Sequence, residues 1–396
     1  MDFLIKVNRV CLYIFIFSAC FEYWDPFGFA NTISIAKIGI IPYFISSLPF
    51  IKKYLTFSFI SRYLSPLIIF ILAGIMATVF NDQYANSIGD VINIRLLQLV
   101  LVMTLICAHI NLDNKVLKGI LNVYVAGMFI MASMYMFFGI GEQYNGGRLF
   151  LFGENANQTG MKTTLALLLL IYGFINRDNS FKKKAFSLIL TIPILYLLIE
   201  SGSRGALLSL LIGLFIVILL GKMQAIKKIG MVLLSTLFSI GLFSFIYTND
   251  VDFRNRIVNS IERGDTSGRT KLWEAAYRII QDNFIFGVGN PGMMPTMRIY
   301  SGIYQQPHNL VLELWLTSGI LGLIFFMTFL IRLGKDLTVS TRNFGHSLYM
   351  ALFIVVLANM VKSGGSVGLI FAWIFFGILI GSIVINKKNH QKDILP

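Results

Sequence analysis

Twelve apolar runs divide the chain, at roughly 10–23, 31–51, 64–80, 96–111, 117–139, 159–176, 185–199, 205–220, 229–247, 309–331, 347–361 and 367–386, with polar and charged residues gathered between them. Most approach the length a helix needs to cross roughly 30 Å of hydrocarbon. In lipid every backbone N–H and C=O must be satisfied within the segment, so the pattern predicts helices. Of the 396 residues, 56% are hydrophobic and 13% charged, and the mean hydropathy is +0.74, too apolar for a soluble domain of this size. The expected fold is an all-α polytopic membrane protein with about 12 transmembrane helices. Nine helices fall in 1–247, one long loop with an interfacial helix spans 248–308, and three helices with a tail occupy 309–396. Residues 1–21 carry Lys6 and Arg9 before an apolar stretch, but no small-residue cleavage site follows, so they read as a retained first span.

Charge then orients the helices. Lys52-Lys53, Lys182 to Lys184, Lys222 with Lys227-Lys228, Arg332 with Lys335 and Arg342, and Lys387-Lys388 all fall on one side, as do Lys6 and Arg9. Short basic clusters stay in the cytoplasm, so both termini are expected there. That side holds 15 lysines and 5 arginines, whereas the outer side holds 4 lysines and 9 arginines, together all 33 basic residues. The net charge of +14 is therefore mainly a topological signal at anionic lipid, and nucleic acid is not an expected partner. Arginine offers a planar fork of donors suited to phosphate and carboxylate. The outer bias toward it points to an anionic ligand, with pairing to local carboxylates or lipid headgroups as the alternative. Cys11, Cys20 and Cys107 lie in apolar runs and read as small core residues.

The outer segments carry the candidate chemistry. Gly147-Arg148-Leu149-Phe150 leads to Glu154-Asn155-Ala156-Asn157-Gln158 before the sixth span, where the amides can cap the helix or bind sugar hydroxyls. Glu200-Ser201-Gly202-Ser203-Arg204-Gly205-Ala206 is a short turn that holds Arg204 near the membrane surface, so its guanidinium needs an anion, either Glu200 or a ligand. The loop 248–308 has seven basic and six acidic residues, hence a net charge of +1, and is no general polyanion trap. Within it, Arg269 to Ile280 has helical periodicity, with Leu272, Trp273, Ala276, Tyr277 and Ile280 on one face and Arg278 near the other. Ser267 or Gly268 would start that helix and Phe286-Gly287-Val288-Gly289-Asn290-Pro291 would break it.

Pro307 suits the first turn of the tenth helix, which leaves His308 and Asn309 at a helix N-terminus facing outward. That positive end disfavours imidazolium and helps keep His308 neutral and able to accept a proton. A plain capping role is the alternative for His308. Glu313 lies a turn below Asn309 on one face, either functional or a structural partner, and Ser318 and Gly322 are spaced for close helix packing. His109, His346 and His390 are assigned to the cytoplasmic side or near it, so no multi-histidine metal site is expected around His308.

Taken in order, Arg148 to Gln158, Ser203-Arg204-Gly205-Ala206, Gly268-Arg269 opening a Trp-containing helix that ends in Gly287-Val288-Gly289, and Pro307-His308-Asn309 with Gly319 and Gly322 resemble the O-antigen polymerase and O-antigen ligase family of bacterial membrane glycosyltransferases. The resemblance covers roughly 148–322. It implies a GT-C-like helical fold in the inner membrane that moves a sugar chain from undecaprenyl diphosphate to a hydroxyl at the periplasmic face, without metal or cofactor. It implies catalytic roles for His308, Arg204 and Arg269; the substrate-binding candidates read beside them are Arg148, Asn157, Arg278, Asn309 and Glu313. The acceptor would be a lipid-linked repeat for a polymerase or the lipid A core for a ligase, and a chain-length regulator is a further candidate partner. The Asn155 to Gln158 segment and the short connection from Gly289 to His308 favour the polymerase. A lipid-linked sugar transporter is the reading from a different class. It expects ionisable residues deep in several spans, where the sequence offers Glu313 nearly alone.

Overall fold

A computed structural model describes residues 2–28, 33–55, 58–145, 148–175, 180–262, 269–362 and 365–394. Gly147, Ser267 and Gly268, named above, lie outside the described residues. The helices are α1 (Asp2–Ala19), α2 (Ile35–Ser47), α3 (Ile51–Leu55), α4 (Ser61–Val79), α5 (Ile88–Ile92), α6 (Ile94–Leu112), α7 (Lys115–Phe138), α8 (Ala156–Ile175), α9 (Phe181–Glu200), α10 (Arg204–Leu220), α11 (Ala225–Asn249), α12 (Val251–Glu262), α13 (Arg269–Asp282), α14 (Gly289–Ser301), α15 (Leu310–Phe344), α16 (Ser347–Lys362) and α17 (Ile370–Ile394).

Every expected apolar run falls on a helix, and the protein is an all-α polytopic membrane protein. Eight helical segments are long and apolar enough to cross a membrane by length and composition. The other runs fall on α1, α9, α10 and α16. The first two each carry charged residues at an end, Asp2, Lys6 and Arg9 or Lys182 to Lys184, while α10 and α16 are shorter apolar helices. At the lysine-rich end Arg9 pairs with Asp113 and Lys388 donates to the Asn111 carbonyl. At the arginine-rich end Arg95 joins Glu22 to the Gly368 carbonyl.

The core is built around α17, whose apolar stretch is almost wholly buried against α6, α15 and α16 through Trp373, Phe375 and Phe376. By contrast α11 is almost wholly exposed and packs mainly along α10 and α12, leaving Leu233, Leu237 and Ile240 facing outward. A second, smaller core at the arginine-rich end joins α13, α14 and Leu316 of α15.

Two features differ from the helical reading. Glu142–Asn145 (β1) and Arg148–Leu151 (β2) form an antiparallel hairpin with Asn145 opposite Arg148. Its alternation buries Leu149 and Leu151, and Phe152 anchors it against Trp24 at the end of α1. The long loop also holds three helices, α12 to α14, where the periodicity predicted only α13.

The run 309–331 is not one straight helix either. Gly319 has φ of 64°, a left-handed value, and splits α15 into 310–318 and 320–344. In a continuous helix the Ile320 N–H would donate to the Leu316 carbonyl. Here it donates to the Phe284 carbonyl (3.2 Å), and the Leu316 carbonyl accepts the Val288 N–H (2.6 Å) instead. The Trp315 indole donates to Phe284 and Asn81 donates to Gly287, so the segment 284–288 is held in the break on both sides. A Cβ at Gly319 would overlap the Ile285 carbonyl oxygen. Broken helices persist at membrane depth only when other groups satisfy the freed backbone, as this segment does.

Candidate functional site

The arginine-rich end brings together side chains from five stretches of chain. Arg204 is the first residue of α10, placed by Ser203, whose hydroxyl accepts the Ala206 N–H as an N-cap. Asn157 reaches across from the start of α8, its carbonyl oxygen accepting from Ser203 (3.1 Å). Asn155 caps α8 by accepting the Asn157 and Gln158 N–H groups, so of the two roles open to these amides capping is occupied by Asn155, while Asn157 fixes the Arg204 turn. Glu200 accepts from Tyr135 (3.3 Å).

Arg269 opens α13, half-buried, and burial first and the Arg204 charge second hold its guanidinium below the usual value. His308 lies within electrostatic reach of Arg269. Burial, then the Arg269 charge, keeps its imidazole below the ordinary value of 6.5, so it is neutral at pH 7 and able to accept a proton. The causes here are burial and the Arg269 charge, where the sequence reading invokes the helix end. Pro307 precedes the helix and does not lie in its first turn, because Asn309 is the N-cap, its side chain accepting the Val311 and Leu312 N–H groups. His308 sits just before that cap with φ of 51°, uncommon for a residue with a Cβ. The Trp273 indole donates to the Pro307 carbonyl (2.7 Å) and ties α13 to the histidine turn.

The buried face of α13 is rotated from the expected one. Ala275 and Ile279 are buried with Leu272, Ala276 and Ile280, while Trp273 and Tyr277 lie largely exposed, since the small Ala275 and Ala276 allow close packing on α14 and α15. Arg278 is exposed. Nine residues of helix carry it about 13 Å along the axis and half a turn around from Arg269, away from the cluster.

Glu313 is buried, and its carboxylate accepts the Gly365 N–H (3.1 Å) from the α16–α17 connection. It lines a cavity of about 40 Å³ with Asn93, Asn290, Thr317 and Ser318. The same connection supplies a residue the sequence reading did not select. Lys362, the last residue of α16, lies within electrostatic reach of Arg269, Arg148 and Arg204. Its only sequence signal is membership of the small outer lysine set. A second residue was overlooked as an ionisable group within a span. Lys162 of α8 is wholly buried, ion-paired with Glu154 and donating to the Ala19 and Cys20 carbonyls at the end of α1, so Glu313 is not nearly alone. Beside Arg204, an apolar groove of about 190 Å³ runs between α10 and α11, lined by Leu207, Leu211, Phe238, Leu242 and Phe243.

Residues 186–327 match the family model described as O-antigen ligase. Arg204, Arg269, His308, Asn309 and Glu313 fall inside that stretch, and Arg148, Asn157 and Lys362 outside it. The chain is also 22% identical over 264 residues to the "Teichuronic acid biosynthesis protein TuaE" of Bacillus subtilis (strain 168), over 59% of this chain and 52% of that one. It thus spans about half the length of the curated relative it matches. The family match runs across the segments that hold Arg204, Arg269 and His308, and the relative is named for teichuronic acid biosynthesis; the chain is thus similar, over this stretch, to the family described as O-antigen ligase.

Proposed function

We propose that the protein is a polymerase for a surface polysaccharide, transferring an undecaprenyl-diphosphate-linked oligosaccharide to the hydroxyl of another lipid-linked repeat at the periplasmic face of the inner membrane. The observation that carries the reading is the neutral His308 set beside the clustered Arg269 and Arg204. The acceptor hydroxyl attacks the anomeric carbon and its proton passes to the His308 imidazole. The carbon–oxygen bond to the diphosphate breaks and its electron pair stays on the leaving phosphate. Arg204 and Arg269 balance the charge that develops there, the place where fixed cations lower a barrier most. Arg148 extends the same positive surface, and these guanidinium groups take the part a divalent metal plays elsewhere, so the reaction as proposed is metal-independent.

The apolar groove beside Arg204 supports a lipid-borne donor, because a polyprenyl tail and a diphosphate need adjacent apolar and cationic surfaces. Asn157 and Asn309 act mainly by holding the Arg204 and His308 turns, and Glu313 by holding the α16–α17 connection. Both termini are assigned to the cytoplasm by the lysine-rich end. The description of the matched family favours a second reading, ligation of the finished chain to a lipid A core. Purified protein in liposomes distinguishes them. Given only the lipid-linked repeat, a polymerase yields a ladder of chain lengths on a gel, whereas a ligase leaves the repeat unextended until core acceptor is added. Absence of both products sinks the transferase reading.

A further inference from the structure

Lys362 ends α16, and its ammonium points at a particular backbone position. A Cβ on Gly205, the residue after Arg204, would overlap Lys362 Nζ. Lysines that merely anchor a helix end turn outward to the headgroups. This one is half-buried against the first turn of α10, where Arg204, Arg269 and Arg148 all bear on its charge. Three residues on, Gly365 is held in place. Gly365 donates to Glu313 on the His308 helix and packs against the Gln306 side chain. The backbone therefore brings a further cation to the place where Arg204 and Arg269 already bear on each other's charge, an arrangement that a bound anion favours.

We propose that Lys362 is a catalytic residue of the donor site, its ammonium contacting the diphosphate of the lipid-linked sugar alongside Arg204, Arg269 and Arg148. This rests on the donor class proposed above. A diphosphate diester carries two negative charges and gains a third as the glycosidic bond breaks. An ammonium at this position answers that gain, whereas a monophosphate has far less need of it. The bare glycine at 205 is what admits the ammonium beside Arg204.

The test is direct binding of farnesyl diphosphate and farnesyl monophosphate to the full chain in nanodiscs, with melting temperature recorded for every variant. Lys362→Met is expected to weaken diphosphate binding about tenfold, the scale of one charge-assisted hydrogen bond, and monophosphate binding less. Gly205→Ala keeps every charge and favours helix, yet it drives Lys362 Nζ aside, so it is expected to weaken diphosphate binding in the same sense by a smaller factor. If both variants bind diphosphate like wild type while Arg204→Ala does not, the lysine's role is overturned and the donor site stands. If wild type discriminates neither probe, or Arg204→Ala and Arg269→Ala both bind as wild type does, the donor reading itself fails and the lysine's role falls with it.

Discussion

Lys162 and Lys362 both lie toward the arginine-rich end of the bundle, and their surroundings are opposite. Lys162 is enclosed by Glu154 and by two carbonyls at the end of α1, with the Phe371 ring 5.7 Å from its ammonium. Its charge is neutralised inside the chain, and the helix end it caps is one that favours a cation. Lys362 is instead gathered with Arg148, Arg204 and Arg269, beside a glycine that leaves it room. The first arrangement joins α1 to α8. The second gathers cations where, on the proposal above, an anion binds. A buried cation thus has two meanings in this protein, and the identity of its neighbours separates them.

The sharpest way to break this comparison is to remove cations from the cluster. Arg204→Ala and Arg269→Ala are each expected to lower sugar transfer by about 100-fold or more, and His308→Ala by a similar factor, with melting temperature unchanged. Normal chain-length profiles from such variants, read on a gel, would end the site assignment. Lys162→Met should do the reverse. Loss of one partner of a buried ion pair costs about 3–5 kcal/mol, read as a lower melting temperature and poor yield, and adding Glu154→Gln should recover part of it. A Lys162→Met protein of normal stability but no activity would place both lysines in one class.

Gly319→Ala tests the break in α15. Its left-handed backbone and the overlap with the Ile285 carbonyl predict a loss of about 1–3 kcal/mol, with the 284–288 segment becoming more protease-sensitive. Unchanged cleavage there would mean the break tolerates a side chain. Trp273→Phe removes one hydrogen bond to the Pro307 carbonyl and is expected to cost about 1 kcal/mol, seen as a modest fall in transfer. The pH dependence is the gentlest probe. Because burial and Arg269 depress the His308 pKa, its neutral form persists below pH 6.5 and is lost only as pH falls through that lowered value. The acid limb of kcat/KM should therefore lie below 6.5, and Arg269→Gln should move it upward. A limb above 6.5 in the unmodified protein would remove His308 as the base.

Much of this architecture was legible before any coordinates. A long apolar run has few backbone solutions in hydrocarbon, so each of the twelve runs falls on helix over most of its described residues, 309–331 with a break at Gly319. Caps are equally local, and Ser203 marks the start of α10 by its own side-chain chemistry. Arg204, Arg269 and His308 could be nominated because each sits at such a boundary, on the side with more arginine. Where packing chooses among local options the reading went astray. Proline tolerates a first helical turn, but Asn309 took the cap and left Pro307 outside, with its carbonyl available to Trp273. The face of α13 turned by the room that Ala275 and Ala276 leave against α14 and α15.

By itself, then, the sequence determined the helical segments and the residue types at their ends, because those follow from backbone satisfaction in lipid and from contacts within a few residues. Only the tertiary structure decided that segment 284–288 completes a broken α15, that Lys162 is satisfied within the chain, and that Lys362 is not grouped with it but with the arginines. Each of these depends on partners far apart along the chain, and no local pattern encodes which distant group will complete a hydrogen bond or share a charge.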